Sequence, residues 1–274
     1  MARPRIGPGA GPNYQVRALQ RGLAVLGCFS VARPALTMAQ VSGALGLPKP
    51  TALRLLECLV GERWLTLDTA TGMYQLSPRP LEVAAVYLAT SSLEQAAQPV
   101  LRKLCDQTQQ TANLGVLDHD EVLHVAVVEP ERPLHYHTRV GARELAHCTG
   151  LGKVLLAGLP DAELRRILRR GLPRKTAATL TDETALLAEL ELVRQRAYAE
   201  DREEAERGLR CFAAPVRDGS GQTVAAISIS GAAADFVGDA QPGLLEAVLT
   251  AAAGLSRRLG WTPARFPATA ALAS

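Results

Sequence analysis

Leu47-Pro48-Lys49-Pro50-Thr51-Ala52-Leu53-Arg54-Leu55-Leu56 decides how the first third of this 274-residue chain is read. Ala52, Leu55, Leu56 and Leu59 recur at i, i+3, i+4 and i+7, the spacing of a helix face that buries against a neighbour. Lys49, Leu53, Arg54 and Glu57 are left facing outward. Pro48 and Pro50 lack amide hydrogens that a helix leaves unbonded in its first turn, so the pair marks a helix start. Upstream, Thr37 is placed to cap a short helix whose Met38, Val41 and Leu45 form a stripe, and Gly46 ends it. The link Gly46-Leu47-Pro48 has the three-residue length of the tight turn in a helix-turn-helix. The helix from Pro48 to Val60 would then lie in a DNA groove.

Working outward, Val16 to Phe29 reads as a helix with Val16, Leu19, Leu23 and Leu26 on one side and Arg17 and Arg21 on another. It would pack on the module or pair two subunits. After Gly61 the period changes to two: Trp64-Leu65-Thr66-Leu67, the loop Asp68-Thr69-Ala70-Thr71-Gly72, then Met73-Tyr74-Gln75-Leu76, a β-hairpin. Three helices and a hairpin make the plan of a winged helix-turn-helix. Ser77-Pro78-Arg79-Pro80 closes it, and Leu81 to Ala97 reads as a linker helix.

Charge divides along the same line. Residues 1–80 hold nine Lys/Arg against three Asp/Glu, a balance of +6, and residues 81–274 hold 21 against 24, or −3. A basic segment joined to a mildly acidic one fits a polyanion-binding module carried by a regulatory or catalytic one. No apolar run nears the roughly 18 residues of a membrane span, and the Gly-, Pro- and Arg-rich start has no apolar core of a signal peptide. A soluble, cytoplasmic protein is expected. Five scattered cysteines, Cys28, Cys58, Cys105, Cys148 and Cys211, never in C-x-x-C spacing, argue against a disulfide framework or a thiolate zinc site.

The remainder reads as a second domain. Pro99 to Gln107 is amphipathic, and strand-like runs follow at Thr111 to Leu117, Val122 to Glu129 and Leu134 to Val140. Thr149 to Leu159 and Asp161 to Arg170 are helical, and Thr181 caps a long helix to about Tyr198. Asp201 falls at the end of that helix, in the acidic run Glu200-Asp201-Arg202-Glu203-Glu204. Leu209 to Arg217 and Thr223 to Ser230 form a hairpin around Asp218-Gly219-Ser220-Gly221, and a last helix runs from about Leu244 to Leu259. The order suggests an α+β domain with a central, mainly antiparallel sheet.

Several constellations carry chemistry. Gly150-Leu151-Gly152-Lys153 fails the Walker pattern, with His147 and Val154 in place of Gly and Ser/Thr, and fails the dinucleotide pattern at Leu155. What remains is a helix start whose amides favour a carboxylate or phosphate, or else a plain helix entry. His135-Tyr136-His137 puts two imidazoles on one strand face within reach of one metal ion, with no third ligand fixed by spacing. Ser228 and Ser230 share a strand face, either solvent-facing or the floor of a polar pocket, and Cys211 on the neighbouring strand would share it. A nucleophilic Cys148 or Cys211 would need a base such as His147 brought close by the fold.

Four segments together resemble the IclR-type transcriptional regulators: Val16 to Leu26, Leu45 to Thr51, Ala146 to Lys153, and Gly208 to Val216. They spread in order over nearly the whole chain. The resemblance implies a winged helix-turn-helix, a linker helix and a GAF-like effector domain, acting as a homodimer or homotetramer on operator DNA. It also implies an effector site of Gly150, Leu151, Asp201, Leu209, Cys211, Ser228 and Ser230, and effectors that are mostly small organic acids. Two departures stand out. Relatives often have an apolar residue where this chain has Glu144, which, if it faced the pocket, would disfavour an anionic effector and favour a neutral or cationic one. Relatives often have His or Tyr where this chain has Leu53, which cannot donate a hydrogen bond.

The expectation is therefore a DNA-binding regulator controlled by a small molecule, with no catalytic residues, cofactor or resident metal. An enzyme or redox sensor using Cys148 and His147 is the alternative. DNA contact is expected from Lys49, Pro50, Thr51, Leu53, Arg54, Arg17 and Arg21. The expected divisions are a disordered arm at 1–12, the winged helix-turn-helix at 13–80, the linker helix at 81–97, the effector domain at 98–262 and a tail at 263–274.

Overall fold

A computed structural model describes residues 16–30, 32–90, 92–133, 135–238 and 240–262. The expected arm at 1–12 and tail at 263–274 lie outside the described residues. The chain divides into two compact units after Thr90.

In the first unit, α1 (Arg17–Leu26), β1 (Ala35–Thr37), α2 (Met38–Leu45) and α3 (Lys49–Gly61) precede a hairpin of β2 (Leu65–Asp68) and β3 (Met73–Leu76). Thr37 closes a capping box: its hydroxyl accepts from the Gln40 amide, and the Gln40 side-chain oxygen accepts from the Thr37 amide at 2.8 Å. Gly46 ends α2 at φ +61°, a left-handed conformation that glycine adopts without Cβ strain. The Ser42 hydroxyl donates to the Leu47 carbonyl and latches the turn. Of the expected inward face, Ala52 and Leu56 are fully buried, and Leu55 and Leu59 pack half-buried around a core of Val25, Phe29, Leu36, Val41, Leu65 and Tyr74. The sequence reading missed β1, which pairs with β3 through Leu36 and Tyr74. Three residues give no period, and Thr37 both ends that strand and caps α2.

The linker helix expected over Leu81 to Ala97 is instead divided between α4 (Arg79–Thr90) and α5 (Ser92–Thr108). Pro99 lies inside α5 rather than at its start. A helix-interior proline costs on the order of 3 kcal/mol, which burial of Ala97, Leu101, Leu104 and Cys105 against the sheet offsets.

The second unit is built on a six-stranded antiparallel sheet. Its strands are β4 (Thr111–Asp118), β5 (Glu121–Val128), β6 (Arg143–Leu145), β7 (Ala199–Arg202), β8 (Leu209–Arg217) and β9 (Thr223–Ala232), in the order β6-β5-β4-β9-β8-β7. α5 and α9 (Ala240–Arg258) cover one face. α6 (Gly150–Ala157), α7 (Asp161–Leu168) and α8 (Glu183–Arg196) supply the apolar cover of the other. A β-bulge at Val125 changes the parity of β5: Leu114 opposes Ala126 while Gly115 opposes His124, so His124 turns to the α6 face.

Two expectations are corrected here. Leu134 to Val140 forms no strand among its described residues, and the short β6 takes the sheet edge beside β5. Side chains hold that segment: the Thr111 hydroxyl donates to the Tyr136 carbonyl, and Glu129 accepts from the Thr138 amide. Asp201 belongs to strand β7, not to the end of a helix, because Ala197 at φ +60° stops α8 and releases the chain into extended backbone.

α6 lies unusually close to its neighbours. A Cβ on Gly150 would stand 2.5 Å from Cys211 Sγ, and one on Gly152 would overlap the Ala146 carbonyl. The Gly-Leu-Gly run is thus a packing requirement of the helix entry. Gly152→Ala is expected to destabilise the second unit by about 1–3 kcal/mol or more in urea unfolding. Gly254→Ala, in α9 with nothing within 4 Å of the added carbon, should be neutral or stabilising by up to about 1 kcal/mol.

Candidate functional site

The DNA-facing candidates lie on α1 and α3. Lys49, Pro50, Leu53 and Arg54 are exposed on α3 with Thr51 half-buried beside them, and Arg17 and Arg21 are exposed on α1. Among the described residues none of these four cations enters an ion pair, so their charges are free for phosphates. The hairpin carries Asp68 at the end of β2 and no Lys or Arg; its carboxylate accepts from the Ala70 amide and the Thr71 hydroxyl, which hold it below the usual carboxylate range.

The second candidate site is a row across the sheet. Asp201 pairs with Cys211, Cys211 with Ser230, and Ser230 with Thr111, which sets one residue from each of four strands side by side on the α6 face. One step along, Ser228 lies opposite Asn113. Leu151, Asp201, Leu209, Cys211, Ser228 and Ser230 all line one cavity, with His124, Tyr136 and Glu144 opposite. Gly150 is not in its wall but lies directly behind Cys211. The walls meet closely, leaving about 10 Å³ open to the centre of a water molecule. Cavities of about 700 Å³ and about 350 Å³ adjoin it, and all three share Tyr136.

Asn113 Nδ2 lies 3.4 Å from both Ser228 Oγ and Ser230 Oγ. The same nitrogen lies 3.4 Å from the Thr111 carbonyl, so its two hydrogens cannot serve all three acceptors, and Asn113 Oδ1 is buried with no hydrogen-bond partner among the described residues. With the amide turned over, Oδ1 would accept from the serine hydroxyls. On the far wall His124 Nε2 sits 3.1 Å from Glu144, and the Tyr136 hydroxyl donates to the same carboxylate at 3.1 Å. Burial opposes the ionisation of Glu144, but the His124 bond and charge and the Tyr136 bond outweigh it and hold the group below the ordinary range. The same burial, with Glu144 beside it, pushes the Tyr136 phenol up.

Asp201 is 2% exposed. Desolvation lifts its carboxyl to about 7 against the amides of Glu204 and Ala205, which donate to Oδ1 at 2.7 and 3.4 Å. Lys153, itself buried in α6, reaches Glu204 at 2.5 Å and so anchors the turn that carries those amides. The lysine that completed no phosphate motif is a strut under this wall. Neither thiol here is activated. Burial raises Cys148 to about 12 and raises Cys211 further, while His147 is itself buried with Nε2 on the Pro173 carbonyl. His135 and His137 lie at the rim, beside Glu129.

Asn113, His124 and Tyr136 were missed by the sequence reading. Thr111 and Asn113, polar at i and i+2 of an apolar strand, carried the same signal as Ser228 and Ser230. His124 was hidden by the bulge, and Tyr136 by the irregular segment it sits on.

Comparison with known proteins matches residues 18–69 to the IclR helix-turn-helix domain and residues 85–257 to the bacterial transcriptional regulator IclR C-terminal domain. The HTH-type transcriptional regulator BhcR of Paracoccus denitrificans is 35% identical over 251 residues, 91% of this chain and 90% of that protein. The structure of an IclR transcriptional regulator from Alicyclobacillus acidocaldarius matches with a TM-score of 0.80 at 25% identity, over 89% of this chain and 99% of that one. That of an IclR homologue from Microbacterium hydrocarbonoxydans, in complex with 4-hydroxybenzoate, matches with a TM-score of 0.78 at 27% identity, over 88% and 98%.

The buried Asp201 yields a pH dependence. With a native pKa of about 7 against an unfolded value near 3.9, the native state holds one more proton between those limits, so this group lowers stability as pH rises from about 4 to 7. Asp201→Asn, which keeps an acceptor for the two amides, is expected to remove that slope and to be the more stable protein at pH 8. Urea unfolding from pH 4 to 8 measures it; parallel curves for the two proteins would contradict the assignment.

Proposed function

The chain belongs to the IclR family of bacterial transcriptional regulators, and we propose from that premise that α3 reads operator DNA while the cavity under α6 binds a small hydroxylated organic acid with one carboxylate. The observation that carries the effector reading is the pair of serine hydroxyls at Ser228 and Ser230, side by side in the cavity wall within 3.4 Å of the Asn113 amide. They suit an acceptor such as a carboxylate. Asp201, neutral over much of the range below pH 7, adds no repulsion there. Glu144 on the opposite wall remains ionised and acts as an acceptor. It suits a hydroxyl on the ligand and disfavours a second carboxylate. The relative solved with 4-hydroxybenzoate holds a molecule of that type.

The DNA-binding form is a homodimer or homotetramer in this reading. Val16, Leu19 and Leu23 make an apolar stripe on α1 with exposures of 48%, 60% and 60%, an expanse a second copy would cover. The two α3 helices would then read two half-sites. Thr51 and Arg54 would serve a phosphate or base edge, Lys49 and Pro50 would lie at the start of the reading helix, and Leu53 would contact a thymine methyl. Arg17 and Arg21 would serve the backbone. α5 lies one residue beyond α4 and carries core side chains of the effector unit, so effector binding would act on the paired DNA units through that junction.

Two measurements test the reading. Arg54→Ala is expected to weaken binding to DNA upstream of the chain's own gene by about 1–3 kcal/mol if Arg54 contacts a base, and with random DNA as control an unchanged affinity would remove it from the interface. In a thermal-shift panel, hydroxylated monocarboxylates including 4-hydroxybenzoate should raise the melting temperature and dicarboxylates should not. Glu144→Gln should improve dicarboxylate affinity by about tenfold or more. A panel in which amines alone stabilise the protein would overturn the acid assignment.

A further inference from the structure

The sequence holds five histidines. His124 and His147 are buried and engaged with Glu144 and the Pro173 carbonyl, and His119 stands at the exposed β4-β5 turn beside Asp118. The remaining two, His135 and His137, converge with Glu129 at the rim of the sheet. Oε1 of Glu129 lies 2.6 Å from His137 Nδ1, and Oε2 lies 3.5 Å from His135 Nε2. All the donor atoms fall within 4.8 Å of one another.

The bonding of His135 gives this cluster its meaning. Its Nδ1 is 2.8 Å from the Arg132 carbonyl oxygen, which can only accept, so the ring hydrogen sits on Nδ1. In the neutral ring, Nε2 is then a lone pair aimed at a carboxylate oxygen, acceptor against acceptor. A cation between them makes the arrangement favourable. A carbonyl fixing the far nitrogen is also the usual support of a metal-binding imidazole, and the Thr138 amide orients the carboxylate in the same way. Donors around a tetrahedral ion with bonds of about 2.1 Å stand roughly 3.4 Å apart. The His135 to Glu129 spacing of 3.5 Å meets that condition as it stands. His137 Nδ1 stands closer than that to Glu129, at hydrogen-bond distance, and its side chain is 65% exposed, so an ion would have to separate the pair by a shift of an exposed ring.

We propose that Glu129, His135 and His137 form a binding site for a divalent transition-metal ion of the zinc class, with at least one position open to water. Two imidazoles and one carboxylate select such an ion over magnesium or calcium, which take all-oxygen shells. The two histidines flank Tyr136, so the ion would also fix the residue that walls the small cavity. That second consequence rests on the effector reading above; metal binding does not.

The test uses the full chain, stripped with EDTA, desalted and titrated with zinc chloride by calorimetry, with cobalt(II) absorption as a second readout. One ion per chain is expected. His137→Ala and Glu129→Gln should each weaken binding by about tenfold or more, whereas His119→Ala and Cys58→Ala leave it unchanged. Because His137 is largely exposed, its loss should leave the circular dichroism spectrum intact. No saturable binding, or binding that survives His137→Ala and disappears with Cys58→Ala, overturns the site. If zinc binds but the thermal shift produced by 4-hydroxybenzoate is the same with and without it, the coupling to Tyr136 is overturned and the ion site stands.

Discussion

The approach of α6 to the sheet is the constraint on which the second unit depends. With no side chain at Gly150 or Gly152, the helix entry settles against Cys211 and the Ala146 carbonyl. Gly115 admits the same closeness from below, since a Cβ there would meet Val122 at 2.6 Å and Leu151 at 3.1 Å. The helix can then roof the polar row from Asp201 to Thr111 and still bury Leu151, Val154 and Leu155. A phosphate-binding loop uses glycines to bring backbone near a ligand; here they bring backbone near backbone.

That closeness has an electrostatic consequence. Lys153 points into the interior, where an unpaired ammonium is strongly unfavourable, and Glu204 meets it at 2.5 Å. Glu204 belongs to the turn whose amides bind Asp201, so the pair sets the position of the wall as well as the charge balance. Among the described residues Asp201 is left with two amide donors and no cation within hydrogen-bond range, which is why burial wins and its carboxyl rises to about 7. Glu144 shares the burial but holds His124 and Tyr136 directly, and its carboxyl moves the other way. Two carboxylates on one cavity thus differ in charge through their partners.

Much of the fold was legible because it rests on local patterns. The α3 face, the Thr37 cap, the Gly46 stop and the β8-β9 hairpin are written in spacings of a few residues. β1, β6 and β7 were not, because strands of three or four residues show no period and are specified by the partners they pair with. Asp201 was assigned to the wrong kind of element for the same reason: an acidic run after a helix reads as more helix until Ala197 turns left-handed. The serine pair was legible as an anomaly, two poor strand formers on one face. That both lie within 3.4 Å of the Asn113 amide was beyond the sequence, since the two strands are more than a hundred residues apart in the chain.

The near absence of open space in the cavity bears on how such a protein responds to a ligand. Room for about one water means that a ligand larger than water must displace a wall before it fits. Three cavities meet at Tyr136, whose own bonds are a phenol contact to Glu144 and a carbonyl held by Thr111. Moving it would join the small cavity to larger neighbours. A ligand seated there would therefore bind one arrangement of the chain and be excluded from the other, and a difference in affinity between two arrangements is the condition for any ligand to shift their populations. A preformed, open pocket would bind more tightly and regulate less. If the proposed effector binds there, a closed cavity would weaken its apparent affinity by the cost of opening, and that same cost would supply the discrimination between states.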